Sequence, residues 1–151
     1  MNEEARKRAL RLLEKRDYSR KMLIDKLTEK GASDEEAAEV ADWLCDLGVV
    51  DDSRYAELVV RHYSMKGYGR RRVKEELYRR GISPEIQEDA LTQMPETDDT
   101  VFRLLINRLR GTDGAPEDIR KAQDHLLRRG YSWGEIRSAV ERYQAQNEDM
   151  E

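Results

Sequence analysis

Cysteine is nearly missing from this chain of 151 residues: Cys45 stands alone, so no disulfide can form within it, and a reducing compartment is implied. Only three prolines interrupt it, which leaves long stretches free to be helical. No apolar run approaches the roughly 18 residues of a membrane span. Met1 to Lys15 also lacks the apolar centre of a signal peptide, so the expectation is a soluble, cytoplasmic protein without membrane contact. Metal chemistry is poorly provided for, because His62 and His125 are far apart and neither has a second ligand at helical spacing. Gly67-Tyr68-Gly69 lacks the later glycine and the preceding strand of a phosphate cradle. Cys45 lies among Trp43, Leu44 and Leu47, where a small buried side chain is expected rather than a nucleophile. The sequence therefore predicts neither catalysis nor a cofactor or metal.

What is present is charge. Asp, Glu, Lys and Arg make up 40% of the chain, the mean hydropathy is −0.94 and the net charge is −4. Each helix then has only a narrow apolar stripe to offer, and one thick globule is not expected. A protein built to bind polyanions along its whole length is basic overall, so any contact with nucleic acid must be local.

A pattern recurs three times: Lys30-Gly31-Ala32-Ser33, Arg80-Gly81-Ile82-Ser83 and Arg129-Gly130-Tyr131-Ser132. The glycines are 50 and 49 positions apart, and a leucine precedes each by four residues, namely Leu27, Leu77 and Leu126. The glycine suits the left-handed residue that ends a helix, and the serine suits the cap that starts the next. In the outer copies Glu36 and Glu135 complete a capping box, and in the middle copy Pro84 takes the first helical position. Each copy resolves into three helices of period 3.6. The first helices run about Glu3 to Lys15, Asp52 to Met65 and Asp98 to Arg110; the second about Ser19 to Lys30, Gly69 to Arg80 and Pro116 to Arg129. Three such helices bury little alone, so the copies are expected to stack. The predicted fold is all-α, three tandem three-helix repeats of about 50 residues forming an elongated, curved array, with boundaries at 1–50, 51–96 and 97–151. Val49 and Val50 at the first junction are expected to be packed.

The middle copy holds the most basic stretch. Residues 61–80 carry Arg61, Lys66, Arg70, Arg71, Arg72, Lys74, Arg79 and Arg80 against Glu75 and Glu76, eight cations less two carboxylates for a net +6. Arg71, Lys74 and Tyr78 form a stripe pointing away from the face of Val73 and Leu77. Three readings compete for this stripe. It is a solvated face with internal pairs such as Glu75 with Arg79, a phosphate-binding face helped by Tyr68 or Tyr78, or a dock for an acidic protein surface.

Asp52-Ser53-Arg54-Tyr55-Ala56, Gly67-Tyr68-Gly69-Arg70 with Val73 and Leu77, and Arg80-Gly81-Ile82-Ser83 together resemble the central motif of the RecX family of bacterial RecA regulators. Ala9-Leu10 with Leu13, Arg16-Asp17-Tyr18-Ser19, Leu23, Leu27 and Lys30-Gly31 resemble that family's first repeat, and Leu47-Gly48 into Asp51-Asp52 its junction. The likeness is weaker in the third repeat, where Gly111-Thr112-Asp113-Gly114-Ala115-Pro116 replaces the glycine-aromatic-glycine turn. The resemblance implies a modular helical protein that binds RecA, lodges in the groove of the RecA filament on single-stranded DNA and inhibits its recombinase, ATPase and co-protease activities. With such a partner, the charge of the basic stretch itself makes Arg54, Arg61, Tyr68, Arg70, Arg71, Arg72, Lys74, Tyr78, Arg79 and Arg80 the residues expected to face the filament or the DNA backbone. No obligate dimer is indicated. The alternative is a helical nucleic-acid-binding module acting without RecA, against which stand the acidic third helices, with Asp34, Glu35, Glu36, Glu39 and Asp42 in the first and Glu85, Glu88 and Asp89 in the second. A generic helical scaffold is the third possibility.

Overall fold

A computed structural model describes residues 1–149, and among them the chain forms nine α-helices and no strand. They are α1 (Glu3–Lys15), α2 (Arg20–Glu29), α3 (Asp34–Asp46), α4 (Asp52–Met65), α5 (Arg70–Arg79), α6 (Pro84–Leu91), α7 (Asp98–Leu109), α8 (Pro116–Arg128) and α9 (Trp133–Asp149). The all-helical fold expected from the periodicity is present, and the first and second helices of each repeat end within one residue of the expected limits. The expected third repeat runs to residue 151, and its last two residues lie outside those described. No described helix is long and apolar enough to cross a membrane.

The recurring tetrad has one physical meaning in all three places. Gly31, Gly81 and Gly130 have φ of 108°, 79° and 101°, the left-handed region that a residue with a Cβ enters only at a cost. The N–H that follows each glycine turns back to the carbonyl of the leucine five residues earlier: Ala32 to Leu27 at 3.0 Å, Ile82 to Leu77 at 3.1 Å and Tyr131 to Leu126 at 3.2 Å. Each glycine's own N–H reaches the next carbonyl, of Thr28, Tyr78 and Leu127. This double closure is the Schellman motif. The serine then starts the next helix. Ser33 and Glu36 exchange the two bonds of a capping box, as do Ser132 and Glu135, while Ser83 accepts from Ile86 N–H. All three caps and both boxes match the expectation.

Cα packing divides the chain into two compact units. The first comprises Met1–Val59 and Glu76–Thr92. Its helices α1, α2 and α3 enclose Ala5, Ala9, Leu23, Leu27, Ala37, Val40, Ala41 and Leu44, and the alanines let the helix axes approach closely. Val50 is buried at the edge of this core, whereas Val49, also expected to pack, is exposed. Cys45 is only partly covered; burial nonetheless pushes its thiol pKa up, the wrong direction for a nucleophile. The second unit comprises Val60–Glu75 and the chain from Gln93 onward. There α7 packs on α8 and α9 around Val101, Leu105, Leu109, Ala122, Leu126, Tyr131, Ile136 and Ala139.

The tetrad glycines differ in what surrounds them. A Cβ on Gly31 would meet nothing within 4 Å, but one on Gly130 would fall 2.5 Å from the backbone nitrogen of Arg72. Gly31→Ala is therefore expected to cost about 1–2 kcal/mol for the backbone alone, and Gly130→Ala a further 1–3 kcal/mol or so for the collision. Urea denaturation of the two variants measures the difference, and equal losses would contradict it.

Candidate functional site

The start of α5 is fixed by the third tetrad. Gly69 N–H donates to Arg129 O at 2.8 Å and Arg71 N–H to Gly130 O at 3.2 Å. The backbones meet so closely that a Cβ on Gly69 would lie 2.4 Å from the carbonyl carbon of Gly130, so glycine is required on both sides. The Arg129 side chain completes the clasp. Its Nε donates to Gly67 O at 2.9 Å, its Nη2 donates to Lys66 O, and its guanidinium lies 4.2 Å from the centre of the Tyr68 ring. Arg72 approaches the same ring at 5.6 Å, and Tyr63 meets it edge-on at 5.4 Å. Tyr68 and Arg72 thus belong to a stacked cluster that holds the glycine-aromatic-glycine turn.

One turn further along, Arg71 donates through Nη2 to Leu127 O, and its Nε is 3.9 Å from Glu75. Arg70, Arg71 and Lys74 form one wall of an open cleft of about 590 Å³, whose other wall is Leu127, Tyr131 and Trp133. Trp133, the first residue of α9, keeps 51% of its surface exposed. Three of the ten expected site residues, these cations, line this one cleft. Burial pushes the Tyr131 phenol up to about 12, with Arg129 pulling the other way.

The second half of α5 has a different setting, in the first unit. Glu76, only 3% exposed, receives Arg79 at 3.0 Å and Arg80 at 3.4 Å. The pair expected between Glu75 and Arg79 is thus replaced by Arg79 with Glu76, because Glu76 lies on the buried side of the helix beside Val73 and Leu77. Arg80 also donates to the Tyr55 hydroxyl at 2.6 Å, and its carbonyl accepts from buried Ser19 at 2.5 Å. Arg54 is turned back onto Val49 O at 3.2 Å. Arg61 is exposed on α4, and Tyr78 is 78% exposed on the outward stripe. Sequence reasoning missed Glu76, Arg129 and Trp133. A glutamate at the i+3 position from buried Val73 was the available sign for the first; the other two are the first residue of the third tetrad and the residue just after it, a stretch that carries no mark of its proximity to α5.

A helical chain assembled on repeated glycine–serine turns, with its most basic stretch running from the end of α4 through α5, is of the class of small all-helical proteins built on a recurring turn. Family models described as the first and second three-helix domains of RecX match residues 5–44 and 51–91. A protein named regulatory protein RecX from Chromohalobacter salexigens is 32% identical over 87% of this chain and 88% of its own. One of the same name from Stenotrophomonas maltophilia is 39% identical over 88% and 83%. The chain belongs to the RecX family, a family of regulators rather than enzymes. The crystal structure of RecX from Lactobacillus salivarius superposes with a TM-score of 0.85 over 94% of this chain and 96% of that one, at 24% identity, and so shares the fold.

Glu76→Ala is expected to lose about 1–3 kcal/mol, because two guanidinium groups lose a buried acceptor. Glu75→Ala, on the exposed side, should stay within about 0.5 kcal/mol. Chemical denaturation separates them, and a larger loss for Glu75 would reverse the assignment. For Tyr131 the native state holds its proton more firmly than the unfolded chain, whose phenol titrates near pH 10 or so. That stabilisation is complete below about pH 10 and is lost as pH rises toward 12. Tyr131→Phe should flatten this alkaline part of the stability profile, read from urea midpoints across the range; an unchanged slope would contradict the assignment.

Proposed function

We propose that this chain binds RecA and its filament on single-stranded DNA in the bacterial cytoplasm and lowers the recombinase, ATPase and co-protease activities of RecA, tuning recombinational repair and the SOS response. The observation that supports this reading is its likeness to regulatory RecX proteins over 87% or more of the chain, RecX being a name attached to RecA regulation. Charge supports it too. A +6 segment on a chain of net −4 gives a local contact for an acidic protein surface or a stretch of backbone phosphate, while the rest of the molecule stays averse to bulk nucleic acid. The partner-facing residues are Arg61, Arg70, Arg71 and Lys74 in the second unit and, separately, Arg54 and Tyr78 in the first. Tyr68, Arg72, Arg79 and Arg80 serve the contact by fixing the helix that carries it. The chain acts as a monomer, and residues 97–151 form a third copy of the three-helix repeat.

The steady-state ATPase rate of RecA on single-stranded DNA, titrated with this protein, tests the reading. Inhibition is expected well below one molecule per RecA protomer. Arg70→Glu with Lys74→Glu should raise the concentration needed by about tenfold or more with an unchanged circular dichroism spectrum. No effect of the unmodified chain at any ratio overturns the proposal, and steeply salt-dependent DNA binding without RecA would favour the nucleic-acid module instead.

A further inference from the structure

The cleft beside α5 is two-sided. One wall is cationic, from Arg70, Arg71 and Lys74 at the first turns of α5; the other is apolar, from Leu127, Tyr131 and Trp133. Tyr131 is buried, so its ring forms the floor, while Trp133 stands half out of the protein at the rim. Arg71 ties the walls together through Leu127 O, which fixes the width, and Arg70 and Lys74 lie one helical turn apart on the same face. From these features we infer that the cleft is the docking site for an acidic amphipathic segment of a protein partner. An apolar side chain of that segment lies against Leu127, Tyr131 and Trp133, and carboxylates one turn apart on it meet Arg70 and Lys74, the helix-in-groove mode of recognition. The inference deepens the functional reading above, on which it rests for the partner being a protein.

A nucleic-acid strand fits the same cleft less well. Strand binding without sequence preference uses successive aromatic platforms along a basic groove, but here a single exposed aromatic faces the cations. The Glu135 carboxylate also lines the cleft, held in place by Ser132 N–H at 2.9 Å and by the Thr97 hydroxyl, and it would repel a phosphate on the apolar side. An amphipathic segment places no anion there. Half-exposed tryptophan beside arginine is moreover the composition of an interface anchor.

Fluorescence tests the inference on the full chain. With Trp43→Phe in place, Trp133 is the sole tryptophan, and burial of its ring by an apolar side chain shifts its emission to the blue. The probe is a helical peptide of about 15 residues with leucine on one face and glutamate on the other. A saturable blue shift is expected, absent with the same peptide carrying lysine for glutamate, and with its Kd raised about tenfold or more by Arg70→Glu with Lys74→Glu. No shift with the acidic peptide, or an equal or stronger response to oligothymidylate of the same charge, overturns the inference. RecA binding is measured on the same protein. A chain that binds RecA and ignores the peptide sinks the cleft assignment alone; one that takes the peptide and ignores RecA keeps the cleft and sinks the RecA reading.

Discussion

Everything in this structure hangs from the carbonyl of a leucine at the end of a second helix. At Leu27, Leu77 and Leu126 that carbonyl accepts the N–H of the residue five positions on, and the bond closes only if the intervening glycine turns left-handed. The closure sets the direction in which the third helix leaves, and serine caps that helix at once. The leucine side chain is fully buried in all three places and the residue after glycine is Ala32, Ile82 or Tyr131, the last two buried as well. A single local reversal thus ends one helix, begins another and anchors both to the core.

The same turns supply the acceptors that organise the second helices. The basic residue before each glycine stands just past the last residue of its helix, so its carbonyl has no partner within that helix. In the first unit Arg80 O is taken by the hydroxyl of Ser19 at the start of α2, and in the second Arg129 O is taken by Gly69 N–H at the start of α5. Lys30 O is taken by Arg8 of α1 at 2.7 Å. Two of the three turns therefore fix where a second helix begins, and the third is closed by a side chain. This explains why the tetrad recurs with so little variation: its glycine answers both to the turn and, at Gly130, to the neighbouring helix backbone.

Much of the fold was legible because it is local. Periodicity, the left-handed glycine, the serine caps and both capping boxes are matters of residues within five positions of one another, and they were read from the chain with helix limits nearly right. The basic row was also visible in the sequence, and the outward stripe of Tyr78 opposite Val73 and Leu77 followed from helical geometry. What was not legible depends on proximity across about 60 positions. Arg129 and Trp133 reach α5 only after folding, and nothing in a run of arginines tells which one will stack on Tyr68, which will grip a carbonyl and which will line a cavity. The Glu76 pairing is an intermediate case. It is local, but the choice between Glu75 and Glu76 turns on which side of the helix is covered, since burial in a low-dielectric setting strengthens a pairing that water would screen.

The arginines consequently divide by role, although they look alike in sequence. Arg72 and Arg80 spend their charge on tyrosine rings, and Arg80 and Arg79 on a buried glutamate. These are contacts in which a planar guanidinium is favoured over an ammonium, because it stacks and makes directed hydrogen bonds at low desolvation cost. Arg71 joins α5 to the third tetrad through a carbonyl. Arg70 and Lys74 line the cleft one helical turn apart on α5, and one of them is a lysine. A helix held this firmly presents its two outward charges at a fixed spacing, so a partner gives up little freedom of this protein on binding. Selectivity then rests on whether the partner's carboxylates and apolar side chain share that spacing, and a diffuse polyanion, however highly charged, gains no equivalent benefit from the rigidity.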